Sequence, residues 1–138
     1  LTRFAVDSSV LVPVAVPSHE FHGRATSALD ALLEQGNDLV IAAHSLLEVY
    51  AFLTRKRFRP VVAEQTVTDF ASLGSVAAPQ PQDYLNLIRR AGSQALAGGG
   101  VYDALIAATV VSAGATFILT LNPRHFERLD FGLDVRVP

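Results

Sequence analysis

The chain has 138 residues, half of them hydrophobic, 17% charged, with a formal net charge of −2 and no cysteine. That length suits one domain spanning 1–138 with a real core, and the composition excludes disorder, a disulfide framework and a thiolate zinc site. A slightly acidic protein attracts no polyanion as a whole, so nucleic-acid binding would require a local basic patch or bound cations.

Leu1-Thr2-Arg3-Phe4 opens directly onto a strand-like segment, with no stretch that reads as a secretory signal, and the lack of cysteine fits a reducing cytoplasm. Arg3 to Asp7 predicts a short buried strand ending in a carboxylate. Ser8 to Val14 suits a short helix interrupted by Pro13 and Pro17. Ser18 is placed as the N-cap of a helix to about Gln35, whose apolar residues Phe21, Ala25, Ala28, Leu29, Leu32 and Leu33 share one face. Asp38 to Ile41 is a second strand and Ser45 to about Arg57 a helix. Pro60 opens a further helix to about Leu73, and Ser75 to Ala77 is a third short strand. Gln82 to about Ala97 is helical, and Gly98-Gly99-Gly100 breaks the chain before a buried helix from about Tyr102 to Ala113. The fourth strand is Phe117 to Thr120, and Val135 to Val137 is a fifth at the edge. Ala104 to Pro123 carries no charge and is long enough to span a membrane, but its pattern predicts a helix, a turn at Gly114 and a β-branched strand instead. Strands alternating with helices imply an α/β fold, a three-layer α/β/α arrangement around a parallel sheet of four to five strands.

In such folds ligands bind beyond the carboxyl ends of the strands. Asp7 ends the first strand, Glu48 lies early in the helix after the second, and Asp103 opens the helix leading to the fourth. Asp7 can be read as a helix cap and Asp103 as a dipole partner. Glu48 and Asp103, however, lie in apolar runs with no Lys or Arg close in sequence, where an unpaired ionised carboxylate is costly. Carboxylates gathered without basic partners repel, and a divalent cation removes that conflict. Oxygen-only ligands point to magnesium or manganese, and to phosphodiester hydrolysis as the chemistry.

Val6-Asp7-Ser8-Ser9, Leu47-Glu48-Val49, Tyr102-Asp103-Ala104-Leu105-Ile106-Ala107 and Leu119-Thr120-Leu121-Asn122-Pro123-Arg124-His125-Phe126 together resemble the PIN-domain family. The likeness is greatest to the ribonuclease toxins of VapBC-type toxin–antitoxin pairs, and it runs in order along essentially the whole chain. It implies that Asp7, Glu48 and Asp103 hold one or two Mg2+ or Mn2+ ions, and that Ser9 and Thr120 supply supporting hydrogen bonds. It implies an endoribonuclease, the toxin component of a type II system, cleaving RNA with a metal-activated water. A VapB-like antitoxin that lays a peptide in an apolar groove, a homodimer and a cytoplasmic location follow from the same likeness; the apolar helix around Leu46 to Leu53 is a candidate lining for that groove. Where the family commonly has an acid, this chain has Asn122, which can ligate through its carbonyl oxygen but brings no charge. His125 stands where another acid is often found and reads as a surface histidine; His19, His22 and His44 read as structural.

Ten of the eleven basic residues are arginine. Arg55-Lys56-Arg57-Phe58-Arg59 is the one dense cluster, serving a helix C-terminus, an RNA-contacting rim, or both. Arg124 and Arg128 are second candidates, and the glycine triplet reads as a flexible turn. Two other functions stay open at this point. One is a catalytically inactive PIN-fold module that binds RNA or acts as a scaffold. The other is a phosphatase with Asp7 as nucleophile, which wants a second acid where this chain has Ser9 and a lysine near the site.

Overall fold

The computed structural model describes residues 2–138, so Leu1, the first residue of the opening segment, lies outside the described residues. Among the described residues, β1 (Arg3–Val6), β2 (Asp38–Ala42), β3 (Ser75–Ala77), β4 (Phe117–Leu119) and β5 (Asp134–Arg136) form one five-stranded sheet in the order β3-β2-β1-β4-β5. Every pairing is parallel. The helices are α1 (Ser8–Ala15), α2 (His22–Glu34), α3 (Ala43–Arg55), α4 (Pro60–Ala71), α5 (Pro81–Ser93), α6 (Gly100–Ser112) and α7 (Pro123–Glu127).

Because successive strand residues face opposite sides, each central strand feeds two cores. Phe4, Val6, Leu39, Ile41, Phe117 and Leu119 pack with α1 to α4 on one side. Ala5, Val40, Ala42 and Ile118 pack with Ile106, Ala107 and Val110 of α6 and Phe126 of α7 on the other. Phe4 and Phe117, partners in the β1–β4 register, stack with ring centroids 5.4 Å apart. The small side chains on the second face let α6 lie close to the sheet, while Leu87 of α5 packs behind it on Ala104 and Leu105. The expected three-layer arrangement is therefore the one observed. The uncharged stretch from Ala104 divides into most of α6, a turn at Gly114 and β4. Among the described residues no helix is long and apolar enough to cross a membrane.

Several local expectations need correction. Ser18 does not cap α2: that helix starts at His22, with Phe21 at its N-cap position, and residues 17–21 are turns and a bend. Two histidines organise this turn. His19 Nδ1 accepts from the Phe21 amide at 3.1 Å, and His22 Nδ1 lies 2.8 Å from the Pro13 carbonyl oxygen. Backbone groups satisfied in this way have no need of a serine cap. Pro13 does not end α1 but lies inside it, two residues before the end, where a missing N–H frees only the Ser9 carbonyl. The fourth strand stops at Leu119 rather than Thr120, because Thr120 turns its hydroxyl into the site. The predicted helices ending near Arg57, Leu73 and Ala97 stop at Arg55, Ala71 and Ser93.

Four helices stop in one manner. Gly36 (φ 81°), Arg57 (φ 68°), Ala95 (φ 55°) and Gly114 (φ 93°) follow α2, α3, α5 and α6 in left-handed conformation. The next amide then returns to a carbonyl five residues back: Asn37 to Leu32, Phe58 to Leu53, Leu96 to Ala91 and Ala115 to Val110. This closes the last orphan carbonyls of each helix.

Candidate active site

From β1 the chain builds β2 and β3 on one side, then returns to build β4 and β5 on the other. The crevice between β1 and β4, beyond their carboxyl ends, is the place such a sheet offers a ligand. Asp7 leaves β1 there and Thr120 leaves β4, and the Asp7 amide donates to the Leu119 carbonyl at 3.0 Å as the final bond between them.

Asp7 is buried, with 5% of its surface exposed. Two hydroxyls donate to its Oδ2, Ser9 Oγ at 2.7 Å and Thr120 Oγ1 at 3.0 Å. Each hydroxyl oxygen also accepts a backbone amide, Leu121 onto Ser9 and Asn122 onto Thr120, both at 2.9 Å. The two hydroxyls also lie 3.2 Å apart, so the carboxylate, both hydroxyls and both amides form one connected network. Asp7 holds the N-cap position of α1 yet makes no side-chain cap bond. Its side chain is turned to the cleft instead, which removes the capping explanation for this residue.

Glu48 reaches the cleft from the second turn of α3 and is only half-buried. Its one side-chain partner is Ser8, whose Oγ lies 3.4 Å from Oε1. Burial, and then the nearby charges of Asp7 and Asp103, raise its pKa from the usual 4.5 to about 7. Asp103 enters from the first turn of α6. Burial raises its pKa too; His125 and Arg128 pull it back, and Asp7 pushes it further up. Carboxyls held above their ordinary range by desolvation and mutual repulsion mark a site built for something other than its own stability.

Asp7, Glu48, Asp103, Asn122, His125 and Arg128 line one open cleft of about 500 Å³, floored partly by Gly99 and Gly100. His125 is thus a cleft residue rather than a bystander on the surface, its Nδ1 3.5 Å from Asp103 Oδ2. It is carried by α7, a five-residue helix that opens on Pro123. Asn122, at the N-cap position of α7, makes no side-chain cap bond there. The glycine triplet, read as a simple turn, contributes two residues to the cleft wall. His44 stacks on Tyr102 with centroids 5.3 Å apart and planes 2° from parallel, pinning the start of α3 against α6 beside Asp103.

A second groove adjoins the first, sharing Ser8, Glu48 and Asn122 and walled by Val12, Phe21, Phe52 and Leu121. Of the predicted groove helix around Leu46 to Leu53, only Glu48 and Phe52 line it; Val49 and Leu53 are core and Leu47 is exposed. Arg55 stands on this groove, whereas Lys56, Arg57, Arg59 and Arg124 line neither cleft. Arg55 and Lys56 both lie over the Phe52 ring, so that part of the basic cluster stands beside this groove. Lys56, the only lysine of the chain, lies over the Phe52 ring and lines no part of the cleft that holds Asp7, which deprives the phosphatase reading of a lysine in the site.

The donor set fits an oxygen-seeking divalent cation: three carboxylates, two of them raised in pKa, with an amide oxygen at hand and no soft ligand. As placed, no group of three acidic or histidine side chains among the described residues is close enough to hold an ion. Binding one requires side-chain adjustment, for which Glu48 has the longest reach.

A parallel three-layer α/β/α sheet with acids gathered at its switch point defines the class. The sequence profile of the PIN domain matches residues 4–132, and the chain belongs to that family. It is 34% identical over 127 residues to Ribonuclease VapC40 of Mycobacterium tuberculosis, a match covering 89% of each chain. Its fold is similar to that in the structure of VapBC2 from Rickettsia felis bound to a DNA fragment from their promoter. There the TM-score is 0.73 at 17% identity, over 99% of each chain. It is also similar to Mycobacterium tuberculosis VapC20, a sarcin-ricin-loop-cleaving toxin, with a TM-score of 0.65 at 15% identity over 83% of this chain and 86% of that one.

Proposed function

We propose that this protein is a metal-dependent endoribonuclease, the toxin of a type II toxin–antitoxin pair. The observation that carries the reading is the meeting of Asp7, Glu48 and Asp103, from three separate elements, in one cleft. The similarity to a VapC ribonuclease supplies the substrate class. Asp7, Glu48 and Asp103 are the residues to hold Mg2+ or Mn2+, with Asn122 offering a neutral oxygen. The bound ion supplies Lewis acidity at a phosphoryl oxygen and lowers the pKa of a water. Ser9 and Thr120 hold Asp7 at one orientation, so that its second oxygen faces the cleft. Glu48, with one long hydrogen bond from Ser8, is the acid free to adjust toward the ion. Arg55 and Arg128 are the cations at hand for the RNA backbone.

An antitoxin peptide fits the adjoining groove, its apolar residues on Val12, Phe21 and Phe52 and a basic side chain reaching Glu48. Association as a homodimer completes the proposal and is read by sedimentation.

Incubation of the protein with a mixed RNA pool, in manganese and in EDTA, beside Asp103→Asn, tests the reading. Metal-dependent cutting that leaves 5′-phosphate and 3′-hydroxyl ends and disappears in the variant is expected. Products ending in 2′,3′-cyclic phosphate would overturn a water-attack mechanism. Asn122 in place of a family acid favours a second reading, an inactive RNA-binding module. That reading is supported if RNA binds but no metal yields cutting.

A further inference from the structure

A helix gains stability from alanine over glycine, yet α6 starts with Gly99 at its N-cap position and Gly100 as its first residue. Nothing in the backbone at residue 100 demands glycine, since its φ lies outside the left-handed range. The demand comes from a neighbour. A Cβ on Gly100 would lie 2.7 Å from Nη2 of Arg128 and 3.5 Å from its Cζ. The guanidinium therefore rests against the α6 backbone, in space that any other side chain would fill.

Arg128 follows α7, is exposed, and lines the acidic cleft. Among the described residues no carboxylate stands within ion-pairing distance of it, although its charge is felt at Asp103. The cleft thus holds three carboxylates and an amide, with an imidazole and a guanidinium on the Asp103 side. A phosphodiester brought to the carboxylates carries negative charge that they repel. A fork of N–H donors at the α6 side of the cleft gives its free oxygens a place to go. Resting on the RNA-cleaving reading above, we infer that Arg128 holds a phosphate of the bound RNA strand in this cleft, and that Gly100 is glycine so that the guanidinium can occupy that position.

The test separates binding from chemistry by using Glu48→Gln as parent. Its anisotropy titration with a short unstructured RNA is followed from about 50 to about 200 mM salt. Adding Arg128→Gln is expected to weaken binding about tenfold at the low-salt end and to lower the salt slope by about 0.7. Adding Arg128→Lys should restore the slope but only part of the affinity, since an ammonium cannot make the two-pronged contact. Gly100→Ala keeps the charge and displaces it. Because the atom it meets ends a flexible side chain, the protein should fold with an equal or higher Tm, yet bind about threefold more weakly.

Unchanged affinity and slope in Arg128→Gln would overturn the inference. So would an equal loss from Arg89→Gln, an exposed arginine of α5 that lines no part of the cleft, or a fall in Tm that accounts for the weaker binding. Wild-type cleavage of RNA beside an indifferent Arg128→Gln would sink the arginine alone. Wild-type protein that neither binds nor cuts RNA would remove the functional reading and this inference with it.

Discussion

Asp7 and Glu48 bring the same carboxyl chemistry to one cleft and are held in opposite ways. Asp7 is buried at the end of β1, one oxygen fixed by two hydroxyls that are themselves fixed by backbone amides. Glu48 is half-buried on a helix, with a single contact of 3.4 Å from Ser8. A carboxylate supplied with donors tolerates burial, while one with few donors keeps its proton to higher pH. The difference separates a fixed anchor from an adjustable arm, two things a site needs when its charges must rearrange around an ion and a substrate.

The sharpest way to break the comparison is at the anchor. Asp7→Asn should lower manganese-supported cleavage by about a thousandfold or more while leaving the circular dichroism spectrum unchanged. Residual activity within tenfold of wild type would mean that Asp7 is only a well-bonded core residue. The next effect concerns the scaffold. Thr120→Val leaves the Asn122 amide without its acceptor and Asp7 with one hydroxyl donor in place of two, at a cost of about 1–3 kcal/mol in chemical denaturation. Ser8→Ala removes only a long bond to Glu48 and should stay within about 0.5 kcal/mol. Equal losses from the two would erase the distinction drawn here.

Proton linkage tests the adjustable arm directly. The folded protein holds the Glu48 proton more tightly than the unfolded chain does, and Asp103 shifts the same way. The Glu48 contribution is therefore fully present below its ordinary value of 4.5 and is lost as pH rises through about 7, and that of Asp103 is likewise lost as pH rises. In EDTA the Tm should fall between about pH 5 and about pH 8, and Glu48→Gln should flatten that fall. Manganese should raise the Tm more at the upper pH, where the carboxyls are ionised. A Tm indifferent to Glu48→Gln at both pH values would show that the arm carries no such strain.

Much of this was legible in the sequence because the relevant signals are local. Buried strand runs gave the sheet, and carboxylates embedded in apolar runs marked Glu48 and Asp103. The PIN likeness tied them to Asp7, Ser9 and Thr120. What escaped was set by contacts between distant segments. α7 has five residues and opens on a proline, too short for any periodicity. The turn at residues 17–21 depends on His22 reaching Pro13. The place of Arg128 depends on a glycine 28 positions earlier in the chain, a relation only the fold reveals. In the basic cluster, α3 ends at Arg55, the one residue of the cluster that lines a groove, and which side chains of such a run reach a groove is set by the fold.

The shared manner of stopping helices has a consequence for engineering. Two of the four stops use glycine, which adopts the left-handed conformation freely; Arg57 and Ala95 hold it with a Cβ in place, at roughly 1 kcal/mol each. Ala95 follows α5 and lines neither of the two clefts. A glycine there gives back some of the gain through a freer unfolded chain, but the balance favours the folded form. Position 95 is therefore where a more heat-tolerant version of this protein can be sought without altering any part of its chemistry.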